Sequence, residues 1–342
     1  MRISGQDAKS QDNTTSVSIF QLLNEAQAGL AGLLAESPAR PHFDHAVLDI
    51  ATSVQTACRL DSDAAIARIF LDKNGSYPLR HAMNTTVLVE LMLRNLDPDA
   101  ARRLSALAAA LTMDIAMLEL KEVLYHQSAP LRDTQKAAIR AHPADGSVWL
   151  KGVGVADAVW LNALGQHHEQ LDGMGYPQGI VGAALTREAR AIELAQRYCA
   201  MVSERSYRPR MPSSAVFTKL IGHKQSWDPM LGALLAKEVG AYPPGSYVRL
   251  FNGELAIVLK RTPKANQPIV RVLAGAQGIK LEGFPTRKTD EPHFQVVASM
   301  APREIKIEHD FRILWGPCLR WSTEIPEDCR LSGTDDCPVV NK

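Results

Sequence analysis

Residues 167–177 read His-His-Glu-Gln-Leu-Asp-Gly-Met-Gly-Tyr-Pro. Two adjacent imidazoles precede an acid, and a second acid opens a turn with two glycines and a proline. Glycine permits backbone angles and close approaches that other residues resist, and proline fixes the chain just beyond. Such a segment can hold imidazoles rigidly beside an irregular, partly open loop, which is what a metal site or a phosphate pocket requires. His81, Asp114 and His142 fall on or at the ends of other predicted helices. Neutral imidazole is the commonest metal ligand, a buried carboxylate completes such sites, and separate helices can supply the ligands. Singly, each histidine is equally explained as a hydrogen-bonded core or surface residue, and 167–177 as a polar helix end and turn; the set is more specific than its members. Asp114 lies inside an apolar run with Leu107, Leu111, Ile115 and Leu118, so its carboxylate requires a partner or a cation.

Helices must position these groups. Helical periodicity begins with Ile19, Leu22, Leu23 and Ala26, continues over about 44–59 and 61–71, and returns behind His81 with Val87, Leu88, Leu91 and Met92. Residues 100–126 read as one strongly helical run. Short helices are expected over 134–141 and 145–150, another over 156–166 leading into His167, and a long one over 185–201. Near residue 242 the pattern changes. Asn252-Gly253 is a hairpin signal between two apolar runs, a third strand is expected over 269–273, and further strands near 294–297 and 305–307. The expected fold is mainly α, a helical bundle with N-terminal helices and a small C-terminal β appendage. The expected divisions are a polar lead-in over 1–16, N-terminal helices over 17–74, a principal helical domain over 75–238, the β extension over 239–310 and an irregular tail over 311–342.

The 342 residues are 46% hydrophobic and 22% charged, within the range of soluble globular chains. A net charge of +1 supplies no global field for DNA or RNA. No apolar run is long enough to span a bilayer, and the polar N-terminus lacks a signal core. The five cysteines are odd in number, scattered and without a CxxC pair, which fits a reducing compartment. A cytoplasmic protein is expected. No Rossmann or P-loop glycine pattern occurs.

The constellation resembles the HD-GYP family, helical phosphohydrolases of bacterial signalling whose best-known substrate is cyclic di-GMP. The resemblance rests on His167-His168-Glu169 with Asp172-Gly173-Met174-Gly175-Tyr176-Pro177, on His142-Pro143 with Gly146, on His81 with Asn84, on Arg190-Ala191-Ile192 and on Arg205-Ser206-Tyr207-Arg208. It covers roughly residues 75–275 and extends to the Tyr-Pro-Pro-Gly-Ser run at 242–246. It implies an HD-type bundle and a site of two or three metals. One metal would use Asp114, His142, His167 and His168, a set suited to iron, manganese or zinc. The other would use His81, Met113, Asp114 and Gln196.

The departures lie in that second set. The family's His-Asp pair is Met113-Asp114, its following lysine is Met117, and its downstream acid is Gln196. A thioether is a poor ligand for the harder divalent ions and an amide carries no charge, so the second metal is expected to be absent or weakly held. Losing an electrostatic stabiliser near a phosphate commonly costs on the order of a hundredfold in rate. Two classes of function follow. One is a non-catalytic or weakly active relative that binds a nucleotide or a protein partner such as a diguanylate cyclase. The other is a metal-dependent cyclic di-GMP phosphodiesterase with a reduced site. The resemblance also implies substrate contacts from Gly175, Tyr176 and Pro177, and from Arg205, Tyr207 and Arg208; the basic segment reads equally well as a surface turn.

Overall fold

A computed structural model describes residues 18–35, 42–205, 208–221, 226–307 and 314–315. Its helices are α1 (Ile19–Ala35), α2 (Phe43–Leu60), α3 (Ser62–Leu71), α4 (Tyr77–Leu93), α5 (Ala100–Thr112), α6 (Leu118–His126), α7 (Asp133–Gly152), α8 (Ala158–Gln166), α9 (Arg187–Val202), α10 (Ser213–Ile221) and α11 (Pro229–Val239). Central among them is α4, buried on nearly every side from Tyr77 to Leu93 and packed on α5, α9, α2 and α3. A helix apolar all round must be enclosed by others. The run Ala106–Ala110 on α5 is wholly buried and, apart from Leu107, presents only alanine side chains. Leu88, Leu91 and Met92 of α4 are equally enclosed, and truncating one to alanine would cost about 2–5 kcal/mol.

Local sequence sets the boundaries. Asp61, Asp99, Asp157 and Asp228 cap α3, α5, α8 and α11 by accepting hydrogen bonds from backbone N–H groups of the first turn. The expected helix over 100–126 is broken: Asp114 (φ −101°, ψ 11°) and Met117 (φ −138°, ψ 23°) leave the α basin around a 3-10 turn, Ile115–Met117. The two short helices expected over 134–150 are one, α7, which continues through Pro143. Proline has no N–H to give to the carbonyl four residues back, so Ile139 O is released from the helix ladder.

The β extension is one antiparallel sheet, ordered β4-β3-β2-β1-β5, of β1 (Tyr247–Leu250), β2 (Leu255–Lys260), β3 (Ile269–Ala274), β4 (Thr286–Lys288) and β5 (Val296–Met300). Strand alternation splits it between two cores. Tyr247, Ile257 and Leu259 join the helical core, while Val248, Leu250, Ala256 and Val258 close a smaller cluster with Val270. Arg261 fastens the sheet to the bundle by pairing with Asp63 of α3 and Glu238 of α11. Gly245 (φ +84°) lies where a Cβ would meet Ala67 O at 2.7 Å, so only glycine brings this segment so close to α3. The strand expected over 305–307 does not form; Pro302–Glu304 is a 3-10 turn and the chain after it is irregular. The lead-in over 1–16, Tyr207, the cysteines at 318, 329 and 337 and nearly all of 311–342 lie outside the described residues.

Candidate metal centre

Two helices deliver the imidazoles, α7 and the end of α8. His142 sits on α7 one residue before Pro143, and its Nδ1–H donates to Ile139 O at 2.6 Å, the carbonyl that the proline releases. His167 ends α8, and its Nδ1–H donates at 2.6 Å to Leu164 O, a carbonyl of the last turn. A carbonyl only accepts, so both rings carry their proton on Nδ1 and turn the Nε2 lone pair inward. The two Nε2 atoms lie 3.1 Å apart. Two converging lone pairs at that distance repel unless a cation stands between or beside them. His168 completes the set, and ligand atoms of His142, His167 and His168 all fall within 4.8 Å of one another.

Asp114 closes the group. Its carboxylate is 2% exposed; Oδ1 has no hydrogen-bond partner and faces His142 Nε2 at 3.9 Å. Burial alone would raise this carboxyl, but the Lys121 ammonium foremost, joined by His81 and His142, holds it well below the usual carboxylate range. Burial pulls His142, His167 and His168 down, His167 to about 3, so the rings are neutral lone-pair donors at neutral pH. An orphaned carboxylate oxygen and three neutral imidazoles fit one divalent transition ion.

The loop after His168 is shaped from within. Glu169, 1% exposed, accepts hydrogen bonds from the backbone N–H groups of Gln178 (2.6 Å), Gly179 (3.2 Å) and Ile180 (3.0 Å). Gly175 passes so close beneath it that a Cβ would lie 2.4 Å from Glu169 Cα. Tyr176 is thereby laid on His168, ring centroids 4.6 Å apart and planes 19° apart, with the Arg140 guanidinium 5.5 Å from its far side. Pro177 is exposed beyond it. Arg205 reaches the same end of α4, its Nη2 donating to Tyr77 Oη at 3.2 Å. Arg208 turns away and donates to Ala200 O at 2.7 Å, so the structure does not bring it to the imidazoles.

Lys121 is the group that sequence reading missed. It stands on α6, and its Nζ binds Asp114 Oδ2. The Lys121 side chain is 12% exposed. His81, 2% exposed, has an unpartnered Nδ1 and a hydrogen bond to Gln196. Gln196 Nε2 also pairs with His168 Nδ1 at 3.3 Å, so its amide bridges the two imidazoles.

Comparison with known proteins places this geometry. An HD domain profile matches residues 66–231, from α3 into α11. The cyclic di-GMP phosphodiesterase PA4108 of Pseudomonas aeruginosa is 25% identical over 242 residues, 70% of this chain and 58% of that protein. The 3'3'-cGAMP-specific phosphodiesterase 3 of Vibrio cholerae is 31% identical over 142 residues, 42% of this chain and 31% of its own length. Bd1817, described as an HDG"Y"P protein from Bdellovibrio bacteriovorus, superposes with a TM-score of 0.56 at 18% identity, over 66% of this chain and 73% of its own. The chain belongs to the HD-GYP family. It spans 58% or less of the length of these curated relatives.

In this HD-GYP protein three clustered imidazoles could hold a metal ion. Met113 is buried at the end of α5, and Met117 opens α6 after the 3-10 turn. Lys121, four residues beyond Met117, brings an ammonium to Asp114. No helix among the described residues is long and apolar enough to cross a membrane.

Proposed function

We propose that this HD-GYP chain binds cyclic di-GMP in bacterial signalling through a one-metal site, and turns it over far more slowly than a two-metal phosphodiesterase does. One observation carries the reading: His142, His167 and His168 bring ligand atoms within 4.8 Å of one another with Asp114 Oδ1 3.9 Å from His142 Nε2, while the orphaned His81 Nδ1 has a thioether and an amide where its co-ligands are expected. A divalent ion in that set would neutralise phosphate charge and lower the pKa of a bound water. The chain's own groups do the rest. The Arg205 guanidinium, beside Tyr77, offers planar donors to a phosphate oxygen. Tyr176, braced by Arg140, holds the His168 ring in place and walls the opening with the Gly173–Pro177 turn.

The test measures binding and turnover separately. Calorimetry with cyclic di-GMP, its linear product and 3'3'-cGAMP would be run beside chromatographic hydrolysis assays and elemental analysis. Saturable cyclic di-GMP binding is expected, with turnover at least about a hundredfold below that of an HD-GYP enzyme with its full ligand set. Comparable turnover with two metals per chain would overturn the reading and establish a working phosphodiesterase.

A further inference from the structure

Asp114 is the one carboxylate that both ligand sets of this site would share. A bridging carboxylate offers one oxygen to each of two cations. Here Oδ1 is unpartnered and faces the imidazoles, 3.9 Å from His142 Nε2, while Oδ2 is taken by Lys121 Nζ. The lysine is no stray surface group: its side chain is 12% exposed and its partner 2%. His81, whose Nδ1 is unpartnered, lies in the same enclosure, within electrostatic reach of both Lys121 and Asp114.

We infer that Lys121 is a tethered cation in place of a second metal ion, so that its ammonium and a single bound metal flank the Asp114 carboxylate. This rests on the one-metal reading above and supplies its structural cause. A second divalent ion seeking Asp114 Oδ2 must displace a covalently held ammonium whose departure would leave a positive charge buried without its partner. Removing one partner of such a pair is costly, so the ammonium stays. His81 then contributes a neutral imidazole beside the fixed charge rather than a metal ligand. Met113 and Gln196 follow from the same substitution: neither a third imidazole nor a second carboxylate is needed around a monovalent ammonium that Asp114 alone neutralises. Lys121 is a positioning residue here, since it acts through Asp114.

Manganese(II) is the probe, because its paramagnetic resonance distinguishes an isolated ion from a coupled pair. The full chain should saturate at one manganese per chain and give the spectrum of an isolated ion. Lys121→Met removes the charge at similar length, and the retained manganese should then bind at least about tenfold tighter, because a like charge across Asp114 has gone. Lys121→Arg should bind as the unaltered protein does. Two tightly held, coupled manganese ions in the unaltered protein would overturn the inference, and so would an unchanged or weakened affinity in Lys121→Met. If Lys121→Met folds only with manganese present, the stoichiometry and spectrum of the unaltered chain still decide. Cyclic di-GMP binding is measured independently: its absence with one manganese per chain removes the proposed function and leaves Lys121 its role, while its presence with two does the reverse.

Discussion

Two of the buried ion pairs in the bundle are finished differently. Arg68 on α3 meets Asp72 at 3.1 Å, both side chains at most 2% exposed. Its remaining donors are consumed by Gln27 (2.8 Å), Asn24 (3.0 Å) and Asn84 (3.4 Å), so α1, α3 and α4 are tied through one guanidinium. Lys121 and Asp114 are nearly as enclosed, at 12% and 2% exposure, yet Asp114 Oδ1, the converging Nε2 lone pairs of His142 and His167, and His81 Nδ1 remain without protein donors. A charge whose neighbours converge on it from several helices marks a structural network; several acceptors left over around one centre mark a place where something binds. The contrast lies in number and convergence: Asp72 Oδ2 lacks a hydrogen bond but keeps its ion pair with Arg68, whereas unpartnered atoms of Asp114 and His81 lie in one enclosure with the imidazoles.

The largest effect belongs to the completed pair. Arg68→Met should cost about 3–5 kcal/mol of stability, because Asp72 is left charged and buried with three amides disconnected. Metal content per folded chain should not change. Denaturant melts beside elemental analysis check both halves, and a loss of metal would erase the distinction between the two regions. His142→Ala is the converse. It should weaken metal binding by about a hundredfold, some 2.7 kcal/mol, while the metal-free protein holds its stability or gains slightly as the 3.1 Å lone-pair contact with His167 disappears.

Acid should separate the regions next. The buried imidazoles sit below their unfolded value of about 6.5, His167 at about 3, so the unfolded chain binds more protons at acid pH. Stability of the metal-free protein should therefore be complete above pH 6.5 and fall as the pH is lowered from there towards about 3. Each histidine that stays neutral adds a limiting slope of about 1.4 kcal/mol per pH unit. Arg68→Met should leave the histidine part of that slope unchanged, because guanidinium keeps its proton throughout, and should add only the opposing contribution of the unpaired Asp72 carboxyl. His167→Ala should lower it by one proton's worth. Stability against pH, measured by urea titration in chelator, reads the difference.

Much of the candidate metal centre was legible in the sequence because its parts are local. His142-Pro143 encodes both an imidazole and the freed carbonyl that orients it, and the run at 167–177 carries two more imidazoles and their supporting loop. The helical body with a β extension followed from the change of period near residue 242. Lys121 was not legible. On the continuous helix expected over 100–126, Asp114 and Lys121 are seven residues apart, about 10 Å along the axis. The two meet because the chain leaves the α basin at Asp114 and Met117, and no proline or glycine at 113–117 announces that break. Glu169 was hidden for a related reason: the N–H groups that it collects come from the backbone of 178–180, which no side-chain pattern records. Arg208 shows the opposite failure, a motif residue whose guanidinium is spent on the C-terminal turn of α9.

The smallest effect tests how the unfinished region keeps its shape without the amide network that surrounds Arg68. His168 has no orphan carbonyl to aim it; its ring is held between the Gln196 amide and the face of Tyr176. If the stack is what orients it, the hydroxyl should be dispensable and the ring should not. Tyr176→Phe preserves the 4.6 Å stacking and the cation above it, so metal affinity should change by less than about twofold. Tyr176→Ala removes an aromatic contact of about 0.5–1.5 kcal/mol, which converts to a roughly two- to tenfold loss. Manganese titration of both variants measures the pair. Equal losses would assign Tyr176 its part through the hydroxyl, and no loss in either would mean that the Gln196 amide alone positions His168.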